Sequence, residues 1–483
     1  LPATIHYNIF TDSSQATFMS ISDAVFKAYD IRGTVPEQIH DDFAYALGLA
    51  LAEMATQAKV DTLVVGYDGR LSSPALSQAL QKGLTDSGIN TVDLGCVPTP
   101  LVYFAAHTLG TGSGVAITGS HNPSNYNGFK MMMAGKTLFG EQIQTLKGLM
   151  QQAQTAKAPG VESRLRKGST KTYSPVADYI NRIVSDIKLK RPIKIAIDCG
   201  NGVGGVAAPA LFRALGCEVI ELFCEVDGRF PNHHPDPADP QNLQDLIRTV
   251  QDTGCELGLA FDGDADRLGV VTKSGEIIWP DRQLILYARD VLSREPGATI
   301  IFDVKCSRHV GKAILEAGGT PLMWQTGHSM IKAKLQETGA PLAGEMSGHT
   351  FFKERWFGFD DGLYTGARLL EIVSASHNPS EVLEALPKGV STPELKLDMQ
   401  EGEPHTLIAK LQAQGQFDTA TEIIKIDGVR AEYNDGFGLA RASNTTPVVV
   451  LRFEGDNEQA LERIQAEFRR ALQKLAPAAQ LPF

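Results

Sequence analysis

The stretch Thr62-Leu63-Val64-Val65, followed by Ser73-Pro74-Ala75-Leu76-Ser77-Gln78-Ala79-Leu80-Gln81-Lys82-Gly83 and then Thr91-Val92-Asp93-Leu94, decides the fold class. Two short apolar runs rich in β-branched residues flank a segment with helical spacing, the signature of parallel strands joined by a crossover helix. The cycle returns at 193–197 with 206–215, again at 257–261, and again at 299–303 with a helix from about Val310. Tandem α/β units are expected. The C-terminal region differs: 448–453 reads as a strand and 457–475 as one long amphipathic helix, so it is expected to be α+β.

A chain of 483 residues is too long for one ordinary core and suggests three or four domains. Polar or Pro/Gly-rich interruptions near 156–172, 276–282 and 387–394 divide it into 19–168, 169–276, 277–388 and 389–483. Residues 1–18 lack this patterning and precede Met19, so they read as a leader or an added extension. A formal net charge of −11 without a dense Lys/Arg block argues against nucleic-acid and anionic-membrane partners. No apolar stretch reaches the length of a membrane span. The six cysteines are scattered without a C-x-x-C pair, which points to a reducing cytoplasm.

Thr118-Gly119-Ser120-His121-Asn122-Pro123 follows the apolar run 114–117, so Ser120 sits on a loop at a strand's end, where α/β proteins place ligands. Lys130 follows after the Asn127-Gly128 turn. This reads as an activatable hydroxyl or as an ordinary turn. Ser-His-Asn-Pro-Ser recurs at 376–380 between two helical patterns, and there a structural role is expected: Asn378 as the cap, Pro379 at the first helical position and Glu381 completing a capping box.

Asp262-Gly263-Asp264-Ala265-Asp266-Arg267 alternates three carboxylates with the smallest residues directly after a strand. All three can point one way, and such a cluster calls for a hard cation such as Mg²⁺ unless the turn is merely solvated. An EF-hand is excluded, since the sixth residue is Arg267 and the twelfth Lys273. In Gly344-Glu345-Met346-Ser347-Gly348-His349 a period of two places Glu345, Ser347 and His349 on one face of an extended loop, fit for sugar hydroxyls or simply an exposed strand. Arg441-Ala442-Ser443-Asn444-Thr445-Thr446-Pro447 has a forked cation and hydroxyls suited to a phosphate, although a polar loop before a strand is common. Lys305, His328, Tyr29 and Arg32 are further candidates, whereas His233-His234 has no companion ligands for zinc. No Walker-type or kinase glycine loop is present, so a phosphoryl donor other than a nucleotide is expected.

In their order, Thr118 to Pro123, Asp262 to Arg267, Gly344 to His349 and Arg441 to Thr445 resemble the four signature loops of the α-D-phosphohexomutase superfamily. Phe26 to Gly33, Gly66-Tyr67-Asp68-Gly69-Arg70 and Asp198-Cys199-Gly200-Asn201-Gly202 are also similar to that family's motifs. The resemblance implies three related α/β domains with mixed sheets and a fourth, mobile α+β domain around a central active-site cleft. It implies that Ser120 is a phosphoserine, that Asp262, Asp264 and Asp266 hold Mg²⁺ with an oxygen from Ser120, and that Arg267 assists.

By the same resemblance Glu345 and Ser347 hold sugar hydroxyls, while Arg441, Ser443, Asn444 and Thr445 bind the phosphate that is not transferred. Lys130, His349 and Arg32 flank the reacting oxygens, and Lys305, His328 and Tyr29 complete the contacts. The implied reaction moves a phosphoryl group between the 1- and 6-positions of a hexose, with a hexose 1,6-bisphosphate as intermediate and activator, in a monomer or weak dimer. The Thr-Gly-Ser-His-Asn-Pro and Gly-Glu-Met-Ser-Gly-His loops resemble the bacterial phosphomannomutase/phosphoglucomutase branch, with glucose and mannose phosphates as expected substrates. Phosphoglucosamine mutases, the alternative within the superfamily, usually carry alanine before the serine and glutamine at the position of Met346. A Mg²⁺-dependent sugar-phosphate phosphatase is the alternative of another class.

Overall fold

A computed structural model describes residues 21–155 and 167–483, so the stretch 1–18, expected to be a leader or an added extension, and part of the first inter-domain division lie outside the described residues. The apolar runs form the strands Thr62–Tyr67, Asn90–Cys96, Lys194–Asp198, Leu257–Phe261, Thr299–Asp303 and Val448–Gly455. The helical patterns form Ser73–Asp86, Ala208–Ala214, Arg308–Glu316 and Glu458–Leu475. Asn457 caps the last of these, its side chain accepting from the N–H of Ala460.

Four sheets result. In the first, Gly114–Ile117, Thr62–Tyr67, Asn90–Cys96 and Thr170–Thr172 run parallel, and Tyr126–Met133 and Ile31–Thr34 close one side antiparallel. The second has Glu218–Leu222, Lys194–Asp198 and Leu257–Phe261 parallel, then Leu268–Thr272 and Ile277–Ile278 antiparallel. In the third, Thr320–Trp324, Thr299–Asp303 and Leu342–Gly344 are parallel and Thr350–Phe352 is antiparallel. The fourth is antiparallel throughout, around Gly436–Ala442 and Val448–Gly455. Thr170–Thr172 and Ile277–Ile278 each extend the preceding sheet past the divisions expected at 168/169 and 276/277.

The antiparallel return strands place the site. Gly114–Ile117 is followed directly by Tyr126–Met133, Leu257–Phe261 by Leu268–Thr272, and Leu342–Gly344 by Thr350–Phe352. Each connection is too short for a crossover helix, so the chain must double back. The serine, aspartate and glutamate loops are thus the tips of three equivalent strand pairs, and the Arg441 loop is the tip of the fourth sheet's hairpin. Pairings such as Ile117↔Phe129, Phe261↔Leu268 and Gly344↔Thr350 anchor both ends of each loop.

One apolar core runs through the first three regions and includes Phe104, Tyr179, Trp356 and Tyr364. Trp356 stacks on Tyr364 with ring centroids 4.2 Å apart. The fourth region has its own core and meets the third through Val304, Phe437 and Leu439. Two buried arginines pin that seam: Arg430 Nη1 donates to the carbonyls of Val304 and Cys306 at 2.6 Å, and Arg452 Nη1 donates to that of Lys305.

The repeated Ser376 motif joins the helices Gly362–Val373 and Pro379–Glu384. Asn378 occupies the cap position and Pro379 the first turn, but the expected capping box does not form. Ser376 Oγ already accepts the Asn378 N–H at 3.0 Å, and the Asn378 amide turns to the Glu381 carboxylate at 3.3 Å. Only that partly exposed bond would be lost on substitution, so Ser376→Ala should leave turnover unchanged and the melting temperature within about 2 °C, as measured by assay and thermal unfolding.

Candidate active site

Ser120 has a positive φ of 48° and is 1% exposed. A left-handed serine costs about 1–2 kcal/mol, and the surrounding loop holds it there. Its N–H donates to Thr118 Oγ1 at 2.8 Å, while Arg70 Nη2 donates to the carbonyls of Ser120 and Asn122 at 2.8 and 2.6 Å. Arg70 Nη1 reaches those of Pro123 and Tyr126, and Asp68 grips the Arg70 Nε at 3.1 Å. The Ser120 hydroxyl faces Asp262 Oδ2 at 3.1 Å and His121 Nδ1 at 3.2 Å.

The aspartate loop presses against this serine. A Cβ on Gly263 would lie 2.3 Å from the Ser120 carbonyl oxygen, so only glycine permits the contact. Asp262, Asp264 and Asp266 are fully buried, and one oxygen from each lies within 4.8 Å of the others. Lys130 Nζ bridges Asp264 and Asp266 at 2.7 and 2.5 Å, and Thr99 Oγ1 donates to Asp264 at 2.6 Å. Burial and the neighbouring carboxylates push the Asp262 carboxyl well above its ordinary range. Burial also acts to raise Asp264, but Lys130 and Thr99 hold it below that range. Asp264 Oδ1 and Asp266 Oδ1 are buried without a hydrogen-bond partner. Orphaned carboxylate oxygens beside a crowded, buried carboxyl fit a hard cation.

The glutamate loop departs from the expected extended form. Gly348 N–H donates to the Glu345 carbonyl at 3.1 Å and Glu345 N–H to that of His349 at 2.8 Å, making a tight turn. Glu345 and His349 are buried and Ser347 half-buried, and all three line one cavity of about 930 Å³. Glu345 Oε1 accepts the Gly327 N–H at 2.5 Å, and burial pushes its carboxyl up. His349 Nε2 accepts from Arg267 Nε at 3.0 Å.

Tyr29, Arg32, Lys305 and His328 line the same cavity, as do Arg441, Ser443, Asn444 and Thr445. Arg441 lies at the end of its strand, its Nε on Asp427 at 2.9 Å, rather than alternating along the loop with Ser443 and Thr445. Ser443 Oγ instead accepts the N–H groups of Thr445 and Thr446. Asn444 Nδ2 donates to the Tyr29 hydroxyl, which donates to the Thr326 carbonyl at 2.8 Å, joining the first, third and fourth regions. Ser120, Lys130 and the three aspartates are buried behind His121 and Arg267, which line the cavity. All sequence-chosen residues therefore converge, while His233 pairs with Asp198 at 3.0 Å and joins no metal-sized cluster among the described residues.

Family models agree with this geometry along the chain. Those described as phosphoglucomutase/phosphomannomutase α/β/α domains I, II and III match residues 23–157, 177–275 and 279–390, and the C-terminal domain of that family matches 394–471. The chain belongs to the phosphoglucomutase/phosphomannomutase family. Within it, the chain is 57% identical over 455 residues to a phosphoglucomutase of Neisseria gonorrhoeae, covering 94% of this chain and 98% of that protein. It is 51% identical over 471 residues to a phosphomannomutase/phosphoglucomutase of Pseudomonas aeruginosa PAO1, covering 97% and 100%. A crystal structure of a phosphoglucomutase/phosphomannomutase family protein from Burkholderia thailandensis superposes with a TM-score of 0.90 at 55% identity, covering 96% of this chain and all of that one.

Sequence reasoning did not select Asp360, Lys332, Thr99, Glu394 or Asp427 for the site. Glu394 pairs with Lys305 at 2.9 Å and Asp427 with Arg441, so both of these cavity-lining cations have a carboxylate behind them. Adjacent Asp360 and Asp361 before an apolar helix were the available signal for one of them.

Proposed function

We propose that the protein moves a phosphoryl group reversibly between the 1- and 6-positions of glucose and mannose phosphates, with Ser120 as the phosphoryl carrier. One observation supports this most: the Ser120 hydroxyl stands 3.1 Å from a buried aspartate cup, behind a cavity that also holds the Arg441 loop. A mutase needs such a clamp in both substrate orientations, to hold the phosphate that is not being transferred.

In this reading Arg441, Ser443, Asn444 and Thr445 grip the phosphate that stays, and Glu345 and Ser347 orient the sugar hydroxyls. Tyr29, Lys305 and His328 complete the contacts. Lys130, Arg267 and Arg32 supply positive charge to the transferred group, and His349 faces the attacking hydroxyl. Asp262, Asp264 and Asp266 would hold Mg²⁺ together with Ser120, and when bound the ion neutralises phosphoryl charge. A cavity of about 930 Å³ is at the upper end for small-molecule pockets, which leaves a hexose 1,6-bisphosphate room to reorient. That bisphosphate would also activate the enzyme by phosphorylating Ser120. A monomer or weak dimer is the expected assembly. Six free cysteines, and no described helix long and apolar enough to cross a membrane, fit a cytoplasmic enzyme.

The test is phosphorus NMR of glucose 1-phosphate, mannose 1-phosphate and glucosamine 1-phosphate, each with Mg²⁺ and a trace of glucose 1,6-bisphosphate. Conversion of the first two to 6-phosphates is expected. Preference for the amino sugar would move the protein to the phosphoglucosamine branch, and accumulation of free phosphate would make it a phosphatase. Chelation with EDTA should abolish turnover and Mg²⁺ should restore it. Because burial and the flanking carboxylates raise the Asp262 carboxyl, protons compete with the cation there, and Mg²⁺ affinity should strengthen as pH rises, by at most about tenfold per unit; calorimetric titration at several pH values would show it.

A further inference from the structure

The carboxylate of Asp360 is completely buried beside the cavity. Its Oδ2 lies 3.1 Å from His349 Nδ1, and its Oδ1 accepts from Lys332 Nζ at 2.9 Å. Lys332 in turn sits over the Tyr103 ring, 4.5 Å from the centroid. Neither His349 Nδ1 nor Asp360 Oδ2 makes a hydrogen bond, so the two face each other at ion-pair distance with no competing hydrogen-bond partner, and His328 Nδ1 stands farther off at 3.7 Å from the same oxygen. On the far side of the imidazole, Arg267 Nε donates to Nε2 at 3.0 Å. An arginine Nε–H can only donate, so Nε2 carries a lone pair and the ring proton of a neutral His349 must be on Nδ1, facing Asp360.

We infer that Asp360 is a positioning residue that fixes His349 as its Nδ1–H tautomer and so keeps Nε2 available for the proton of the attacking sugar hydroxyl. This rests on the mutase reading of the site. Entry of that hydroxyl displaces Arg267 from Nε2 and frees the guanidinium for phosphoryl oxygens. The hydroxyl proton passes to Nε2, the oxygen's electron pair bonds to phosphorus, and the phosphorus–oxygen bond of Ser120 breaks with its pair left on Oγ. When Oγ takes back the other phosphoryl group, the proton on Nε2 returns to the sugar oxygen released. Asp360 stays ionised throughout, as in other carboxylate–histidine pairs where the acid orients the ring and stabilises the imidazolium. Although burial opposes its charge, Lys332 and the two nearby histidines hold its carboxyl well below the ordinary range.

Asp266 Oδ1 also lies 3.5 Å from His349 Nδ1, so these three groups could be taken for a second cation site. Asp266 belongs to the aspartate cup described above, and Asp360 already has Lys332 as its cation at 2.9 Å.

Asp360→Asn is the discriminating variant. Lys332 will claim the amide oxygen, which turns the NH₂ toward Nδ1 and forces the ring proton onto Nε2. The expected result, at saturating Mg²⁺ and glucose 1-phosphate, is a kcat lower by about 10²-fold with KM within about threefold. In a His349→Ala background the same change should cost less than about threefold, since Asp360 acts through that ring. Nitrogen-15 NMR of His349 in the unaltered enzyme should report the Nδ1–H tautomer, a readout that does not depend on the variant folding. A wild-type Nε2–H tautomer, an Asp360→Asn kcat within threefold of wild type, or a loss repaired by more Mg²⁺ would each overturn the inference. Absence of mutase turnover in the unaltered enzyme would instead overturn the reading beneath it.

Discussion

Ser120→Ala should lower turnover of glucose 1-phosphate by about 10³-fold or more while leaving its dissociation constant within about threefold. The hydroxyl touches only Asp262 and His121, and its backbone is held independently by Thr118 and Arg70, so the loop should keep its shape. What disappears is the hydroxyl proposed to carry the phosphoryl group, 3.1 Å from Asp262 in the aspartate cup. Kinetics by phosphorus NMR and affinity by calorimetry separate the two quantities. Turnover comparable to that of Ser376→Ala would show that the wrong serine was chosen.

Arg70→Met should destabilise the first region by about 3–5 kcal/mol and take activity with it. The guanidinium is 1% exposed and serves four carbonyls of the serine loop together with Asp68. Methionine fills a similar volume but leaves those acceptors and a buried carboxylate unpaired. It also loses the contact with the Phe230 ring, 5.1 Å away across the boundary with the second region. Denaturant titration, followed by probes in separate regions because a chain of this size need not unfold in one step, should show an early transition in the first. An unshifted first transition would mean that the loop is held by its strand pairing alone.

Several strand runs and helices such as Ser73–Asp86 and Glu458–Leu475 were legible because each has a period that survives without tertiary context, whereas Asp41–Gln57, Glu141–Thr155 and Pro280–Arg294 were not read. The site loops were legible from residue chemistry at fixed spacing, and their convergence followed from the family resemblance. The return strands were not: Tyr126–Met133 is almost wholly buried, so it lacks the alternation that marks a half-exposed antiparallel strand. Alternation misled at Glu345, where Ser347 and His349 share a face through a turn, and at Arg441, which belongs to the strand. Asp360 was hidden for another reason. Its importance lies in atoms contributed by His349 and Lys332, and nothing local to residue 360 announces them.

The Tyr29 hydroxyl, receiving from Asn444 and donating to Thr326, has a kinetic meaning. In the proposed reaction, a serine that had given up its phosphoryl group would be stranded if the bisphosphate escaped before returning one. Escape and reorientation therefore race, and the gate between the first and fourth regions sets the odds. The hydrogen bond across that gate, from Asn444 to Tyr29, would favour its shut form by roughly 2–13-fold, a modest bias that still lets a finished product leave. One phenolic oxygen would thus tune how many cycles the enzyme completes before it must be primed again.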